Sequence, residues 1–214
     1  MESQGRPGAE NMAIDAGLLE QAATTGAAWL RLYSWDPACL SLGRNEHAER
    51  YAALIARRGI PVVRRPTGGS AVWHEHEVTY AVAAPIATFG SLRQAYHTIH
   101  GRLAVALRTL GAEATLAERP GPFVTVFDRR GPCFAAPAGG EIMVGGKKLV
   151  GSAQVRRGKA FLQHGSILLD GSQGPLAVGD ATTLREVLGR PVAFTEVADA
   201  IVATWSALAP SAAR

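Results

Sequence analysis

Three β-prone runs, at 141–144, 147–155 and 160–169, follow one another closely, and the first two meet at Gly145-Gly146. A Gly-Gly pair adopts the positive φ angles that a two-residue hairpin turn demands, so the three runs read as an antiparallel meander. A meander has two faces, and an apolar face must be covered by something. The longest helical pattern in the chain runs from 91 to 110, with Leu92, Ile99, Leu103 and Leu107 on one stripe ahead of Gly111. Further helices are expected at 9–24, at 48–58 ending on Gly59, and at 196–208 with Thr195 as N-cap.

Short strands are expected at 30–33 and 39–42 around a Trp35-Asp36-Pro37 turn, and at 60–64. A turn over Pro66 to Gly69 precedes runs 70–74 and 78–84, which resemble a hairpin. The sum is an α+β fold, a mixed/antiparallel β-sheet with helices packed on one face. With 214 residues and 47% hydrophobic side chains, the expectation is one domain over 1–214. Residues 118–140 are rich in Pro and Gly and read as loop.

A formal charge of +4 lacks the basic density of a dedicated nucleic-acid binder and suits an acidic protein partner. Only three of the 22 basic residues are lysines, Lys147, Lys148 and Lys159. In such a chain a retained lysine is either chance or a role that needs a removable proton, which arginine lacks. Cys39 and Cys133 are too few for a disulfide scaffold, which fits a reducing cytoplasm. The first ten residues lack the basic start and apolar run of a secretory signal, and no stretch approaches the roughly 18 apolar residues of a membrane span. A soluble cytoplasmic protein with no membrane partner is expected.

Four segments carry candidate chemistry. In the first, Arg64 to His74, Pro66 keeps Arg65 extended while Gly68 and Gly69 let backbone approach a polar ligand group closely. A tight hairpin with a basic rim is the alternative. In the second, Gly145 to Gln154, strand alternation puts Lys148, Val150, Ser152 and Gln154 on one face and Lys147, Leu149, Gly151 and Ala153 on the other. A charged hairpin tip is the alternative. The third is Gly131-Pro132-Cys133-Phe134, whose cysteine is either a buried small hydrophobe or, given its loop, a nucleophile. The fourth is Gln163-His164-Gly165-Ser166. His74, His76 and His164 are catalytic or structural, and no pair has the spacing of a zinc site.

Taken in order, these segments resemble the lipoate–biotin protein ligase superfamily, and within it the octanoyltransferases of the LipM type. The resemblance begins at Gly8-Ala9-Glu10-Asn11-Met12-Ala13-Ile14-Asp15 and continues through the Ser41-Leu42-Gly43-Arg44 block and Arg64 to His74. It resumes at Cys133, Lys148 to Gln154 and Gln163 to Asp170. It implies a two-step transfer with no ATP and no cofactor. A cysteine takes octanoyl from acyl carrier protein, and a lysine of the glycine cleavage H protein or another lipoyl domain attacks the acyl-enzyme.

The resemblance makes Cys133 and Lys148 the catalytic pair. Arg64, Arg65, Thr67, Gly68, Gly69, Val72, His74, Gly151, Ser152, Ala153, His164 and Gly165 form the substrate-binding set, with no metal. Thioester exchange trades like for like, and thioester to amide runs downhill. A cationic lysine close to the thiol favours thiolate. Val72, Leu149 and Val150 are candidate walls for the acyl chain. Two rivals stand beside this reading. One is an ATP-dependent lipoate–protein ligase with Cys133 incidental, and the other a non-catalytic module that binds acyl groups or carrier proteins.

Overall fold

The computed structural model describes residues 5–117, 140–171, 173, 176 and 181–207. Helix α1 (Gly8–Thr25) starts after Pro7 and ends at Gly26, whose φ of 75° closes the last turn. Strands β1 (Trp29–Tyr33) and β2 (Cys39–Leu42) follow, then a short 3-10 turn that runs into α2 (Ala52–Arg58). Next come β3 (Val62–Arg64), β4 (Val72–His74) and β5 (Glu77–Pro85). Helix α3 (Leu92–Thr109) is capped by Ser91, whose side chain accepts from the Gln94 N–H. The chain then forms β6 (Thr115–Leu116), β7 (Ile142–Val144), β8 (Lys147–Arg157), β9 (Ala160–Leu168), α4 (Leu184–Leu188) and α5 (Phe194–Ala207). Helix α5 begins one residue before Thr195, so that residue lies in its first turn rather than at its N-cap.

The strands among the described residues form two sheets. One has six strands in the order β1-β5-β9-β8-β7-β6, all neighbours antiparallel, and the expected meander β7-β8-β9 is part of it. The other has three, β3-β2-β4, with β2 parallel to β3 and antiparallel to β4. The hairpin expected between 70–74 and 78–84 does not form. β4 pairs with β2, Cys39 opposite His74, while β5 lies between β1 and β9 in the larger sheet. The reason lies in β5 itself. It is buried on both faces, so it takes a central position with its edges filled by β1 and β9, which offer five and nine residues of pairing against three in β4.

The same burial corrects the expectation that helices pack on one face. Val78, Tyr80, Val82 and Ala84 join a core with Ala95, Ile99, Leu103 and Leu107 of α3 and Val197 and Ile201 of α5. The alternate residues Ala81 and Ala83 join Met12, Leu19 and Ala22 of α1 on the opposite face. Helices therefore cover both sides of the large sheet.

Alternation also fails inside β8. Ile142 pairs with Val150 but Met143 with Lys148, so Leu149 is an extra residue in a bulge, and Leu149 and Val150 enter the same core cluster. Counting by twos through the bulge placed Lys148 on the face of Ser152 and Gln154. The extra residue breaks that link.

Candidate functional site

A cavity opens where the two sheets meet. From β8 and β9 it is lined by Gly151, Ser152, Ala153, His164 and Gly165, and from the small sheet and its loop by Arg65, Val72 and His74. Eight residues of the expected binding set thus come together from segments far apart in sequence. Met12, Tyr33, Trp35, Thr79 and Ser166 complete the wall, and sequence reasoning had no part for them. Their signal was present but weak: Met12 falls in the Gly8 to Asp15 block, and Ser166 closes the Gln163 to Ser166 block.

The rest of the expected set lies elsewhere. Arg64 turns outward and donates to the carbonyls of Gly43 (2.8 Å), Arg44 (3.1 Å) and Glu46 (2.8 Å) instead of reaching the cavity. Thr67, Gly68 and Gly69 are not in its lining, although Thr67 and Gly68 hydrogen-bond to the lining residues His164 and Arg65. Lys148 is buried, 1% exposed, with its Nζ 2.7 Å from Glu141 Oε1. It does not line the cavity either. Cys133 lies outside the described residues.

The loop between β3 and β4 is held from three sides. Arg65 is 5% exposed, and its guanidinium donates to Ser41 O (2.8 Å), Ser41 Oγ (2.6 Å), Gly68 O (3.2 Å) and Ser70 O (2.9 Å). It braces the loop into which it is built. Gly69 has φ of 88°, which a side chain tolerates poorly. A Cβ on Gly43 would stand 1.8 Å from Gly69 O, so the glycine of the Ser-Leu-Gly-Arg block is needed for the loop to lie flat on β2.

Two buried relays run under the cavity. Asp15 of α1 takes the Arg31 guanidinium on Oδ1 (2.9 Å), and on Oδ2 it accepts from Tyr33 OH and from His164 Nδ1, both at 2.8 Å. With its proton on Nδ1, His164 accepts from Thr67 Oγ1 at Nε2, 2.7 Å away. In the second relay His74 donates from Nδ1 to Glu77 Oε1 (2.8 Å), which also accepts from Ser166 Oγ (2.7 Å) and from Thr79. His74 Nε2 meets Ser41 Oγ at 2.5 Å, and its ring stacks on Trp35 with centroids 3.9 Å apart. Burial drives His74 toward the neutral imidazole, and the Glu77 carboxylate works against that drive. Both nitrogens of both histidines are occupied, so neither offers a vacant lone pair to a substrate.

The fold and site together define an α+β domain that holds a small, largely apolar cavity over a buried, hydrogen-bonded floor. Its fold is that of lipoate-protein ligase A, whose ATP-bound crystal structure aligns with a TM-score of 0.76 at 24% identity over 95% of this chain and 82% of that one. The chain belongs to the lipoyl protein ligase A/B catalytic domain family, whose model matches residues 7–206. It is 42% identical over 168 residues to octanoyltransferase LipM of Carboxydothermus hydrogenoformans, covering 76% of this chain and 61% of that protein. To octanoyltransferase LipM of Kyrpidia tusciae it is 38% identical over 218 residues, covering 89% and 79%. The chain thus spans less than two thirds of the first of these relatives. No helix among the described residues is long and apolar enough to cross a membrane.

Proposed function

We propose that this chain is an octanoyltransferase of lipoate cofactor synthesis, working as one catalytic domain in the cytoplasm. The carbonyl of octanoyl-acyl carrier protein is attacked by the Cys133 thiolate, and the phosphopantetheine thiolate leaves and takes up a proton. The ε-amine of a lysine on a lipoyl-accepting protein, such as the glycine cleavage H protein, then attacks the acyl-enzyme. It loses a proton and expels the Cys133 thiolate, leaving an amide.

The observation that carries this reading is 42% identity to an octanoyltransferase within a family match that spans every residue lining the cavity. The cavity supports it chemically. Met12, Val72 and Ala153 are apolar neighbours for an acyl chain, and most polar groups of the floor are committed to one another. Lys148 has the charge role in this proposal, an ammonium fixed on β8 by its ion pair with Glu141.

Intact-mass analysis after mixing with octanoyl-acyl carrier protein tests the first step. One octanoyl group, mapped to Cys133 and lost in Cys133→Ala, is the expected result. Labelling that persists in that variant refutes the thioester. Octanoylation of an apo lipoyl domain only when octanoic acid and ATP are supplied establishes the ligase instead.

A further inference from the structure

Ala117 and Gly140, which flank segment 118–139, lie side by side. The Gly140 N–H donates to Ala117 O (2.9 Å) and the Ala117 N–H to Glu141 O (2.7 Å), so the segment that carries Cys133 begins and ends at one neck. This neck rests on α3. Gly140 has φ of 86°, and a Cβ there would stand 3.0 Å from His97 Cε1 and 3.5 Å from Tyr96 Cε1, so glycine is what lets the backbone lie against the helix. Its carbonyl meets His100 Nδ1 at 2.5 Å.

The other nitrogen of the same ring reaches the large sheet. His100 is fully buried on the α3 face, with Nε2 2.9 Å from Ser152 Oγ and 3.1 Å from Tyr80 OH. Ser152 stands on β8 between Gly151 and Ala153, both of which line the cavity. Tyr80 of β5 in turn accepts from Gln163 Nε2 of β9 at 2.8 Å, so the ring is anchored to three adjacent strands. A carbonyl only accepts, so Nδ1 carries the proton and donates to Gly140, while Nε2 accepts from a hydroxyl. Burial keeps the ring neutral, lowering its pKa to about 4. One rigid, planar group therefore joins the neck to the strand that forms the cavity wall. Its neighbours Ile99 and Leu103 belong to the apolar core, so an aliphatic side chain would fill this space, and the polarity at position 100 serves only its two hydrogen bonds.

We propose that His100 is a positioning residue for acyl transfer, a spacer that fixes the neck of the Cys133 segment at a set distance from the β8 wall of the cavity. This rests on the reading of Cys133 as the nucleophile and the cavity as the acyl site. Cys133 lies seven residues before Gly140, so the neck is a boundary from which its reach is set. His100 touches neither substrate nor thiol. Its effect is on alignment, where a misplacement of about 1 Å costs on the order of a hundredfold in rate.

The test follows single-turnover acylation of Cys133 by S-octanoyl-pantetheine, read by intact mass, in three variants. His100→Asn can still donate to the Gly140 carbonyl, His100→Gln places its amide toward Ser152 and Tyr80 instead, and His100→Leu makes neither bond. At saturating thioester, His100→Gln and His100→Leu should be about a hundredfold slower than the unaltered chain and His100→Asn within about tenfold of it, with the half-saturating concentration unchanged in all three. Alkylation of Cys133 by iodoacetamide, which needs no occupied cavity, should keep its rate throughout. Equal acylation in the three variants, or His100→Gln faster than His100→Asn, overturns the inference and leaves the acyl reading standing. Alkylation that slows in step with acylation overturns it too, because the thiol itself has then changed. No acyl group on Cys133 of the unaltered chain removes the acyl reading and the inference together. If the Gln and Leu variants do not fold, Gly140→Ala decides: it strains the neck and leaves the core intact, and acylation at the unaltered rate overturns the inference.

Discussion

His74, His100 and His164 are all buried, and each has both ring nitrogens bonded inside the protein. Their chemistry is positional: each fixes a loop or a hydroxyl through a tautomer that its partners impose. His100 makes this measurable. Its folded pKa of about 4 lies below the unfolded value of about 6.5, so the unfolded chain takes up a proton that the folded one refuses. The contribution is complete above about pH 6.5 and is lost as pH falls toward 4, by up to about 3 kcal/mol. His100→Asn keeps a donor for the Gly140 carbonyl but has nothing to titrate. Denaturant midpoints at pH 7.5 and 4.5 should show the stability gap between wild type and this variant narrowing by about 2 kcal/mol on acidification. A gap that does not change with pH contradicts the assignment.

Strand β8 carries two kinds of constraint, separated by its bulge. From Gly151 to Ala153 it builds cavity wall, whereas Lys148 is sealed against Glu141 with side chains 2% and 4% exposed. A buried ion pair is weak evidence of stabilisation, but removing one member is costly because the other stays desolvated. Lys148→Met should therefore lose about 3 kcal/mol of stability, and Lys148→Met with Glu141→Leu should recover most of it. If Lys148 supplies charge to the transfer, the double variant folds well and transfers no octanoyl. Single-turnover transfer measured beside urea unfolding separates the two contributions. Full activity in the double variant would reduce Lys148 to a structural cation. Lys148→Arg is a less clean test, because a larger guanidinium would have to replace the ammonium in a site 1% exposed.

The molecule is two sheets joined at the cavity, with α1 spanning both. Gly8 of α1 touches the small sheet, a Cβ there standing 2.8 Å from Cys39 Sγ, while Asp15 anchors the helix to His164 of β9. Cys39 sits inside this junction, 1% exposed, and burial raises its thiol pKa to about 12. It is chemically silent while the fold is intact. Alkylation by iodoacetamide at pH 8 should leave Cys39 unmodified in native protein and modify it fully in denaturant, with a rate that tracks global unfolding. Rapid native labelling of Cys39 would show that the junction opens locally. The same contrast makes Cys133 identifiable in an acylation experiment, since the other thiol cannot compete.

Local pattern carried much of this into view before any coordinates. The helices α1 and α3 and the meander β7 to β9 follow from periodicity and turn glycines, because those signals depend on residues close in sequence, while the eight cavity residues came through the family resemblance. What escaped depends on partners distant in the chain. Strand β4 left its neighbour β5 for β2, α1 took the second face of the sheet, and one extra residue in β8 reversed the side-chain phase at Lys148. Arg65, expected as a ligand-binding cation, lines the cavity and also braces its own loop, Asp15 entered only as the end of a motif block, and Tyr80 and His100 drew no notice as site residues. A side chain's motif announces that its chemistry is needed. Whether that chemistry is turned toward a ligand or spent on the fold is decided only when burial brings donors and acceptors from separate elements within 3 Å of each other.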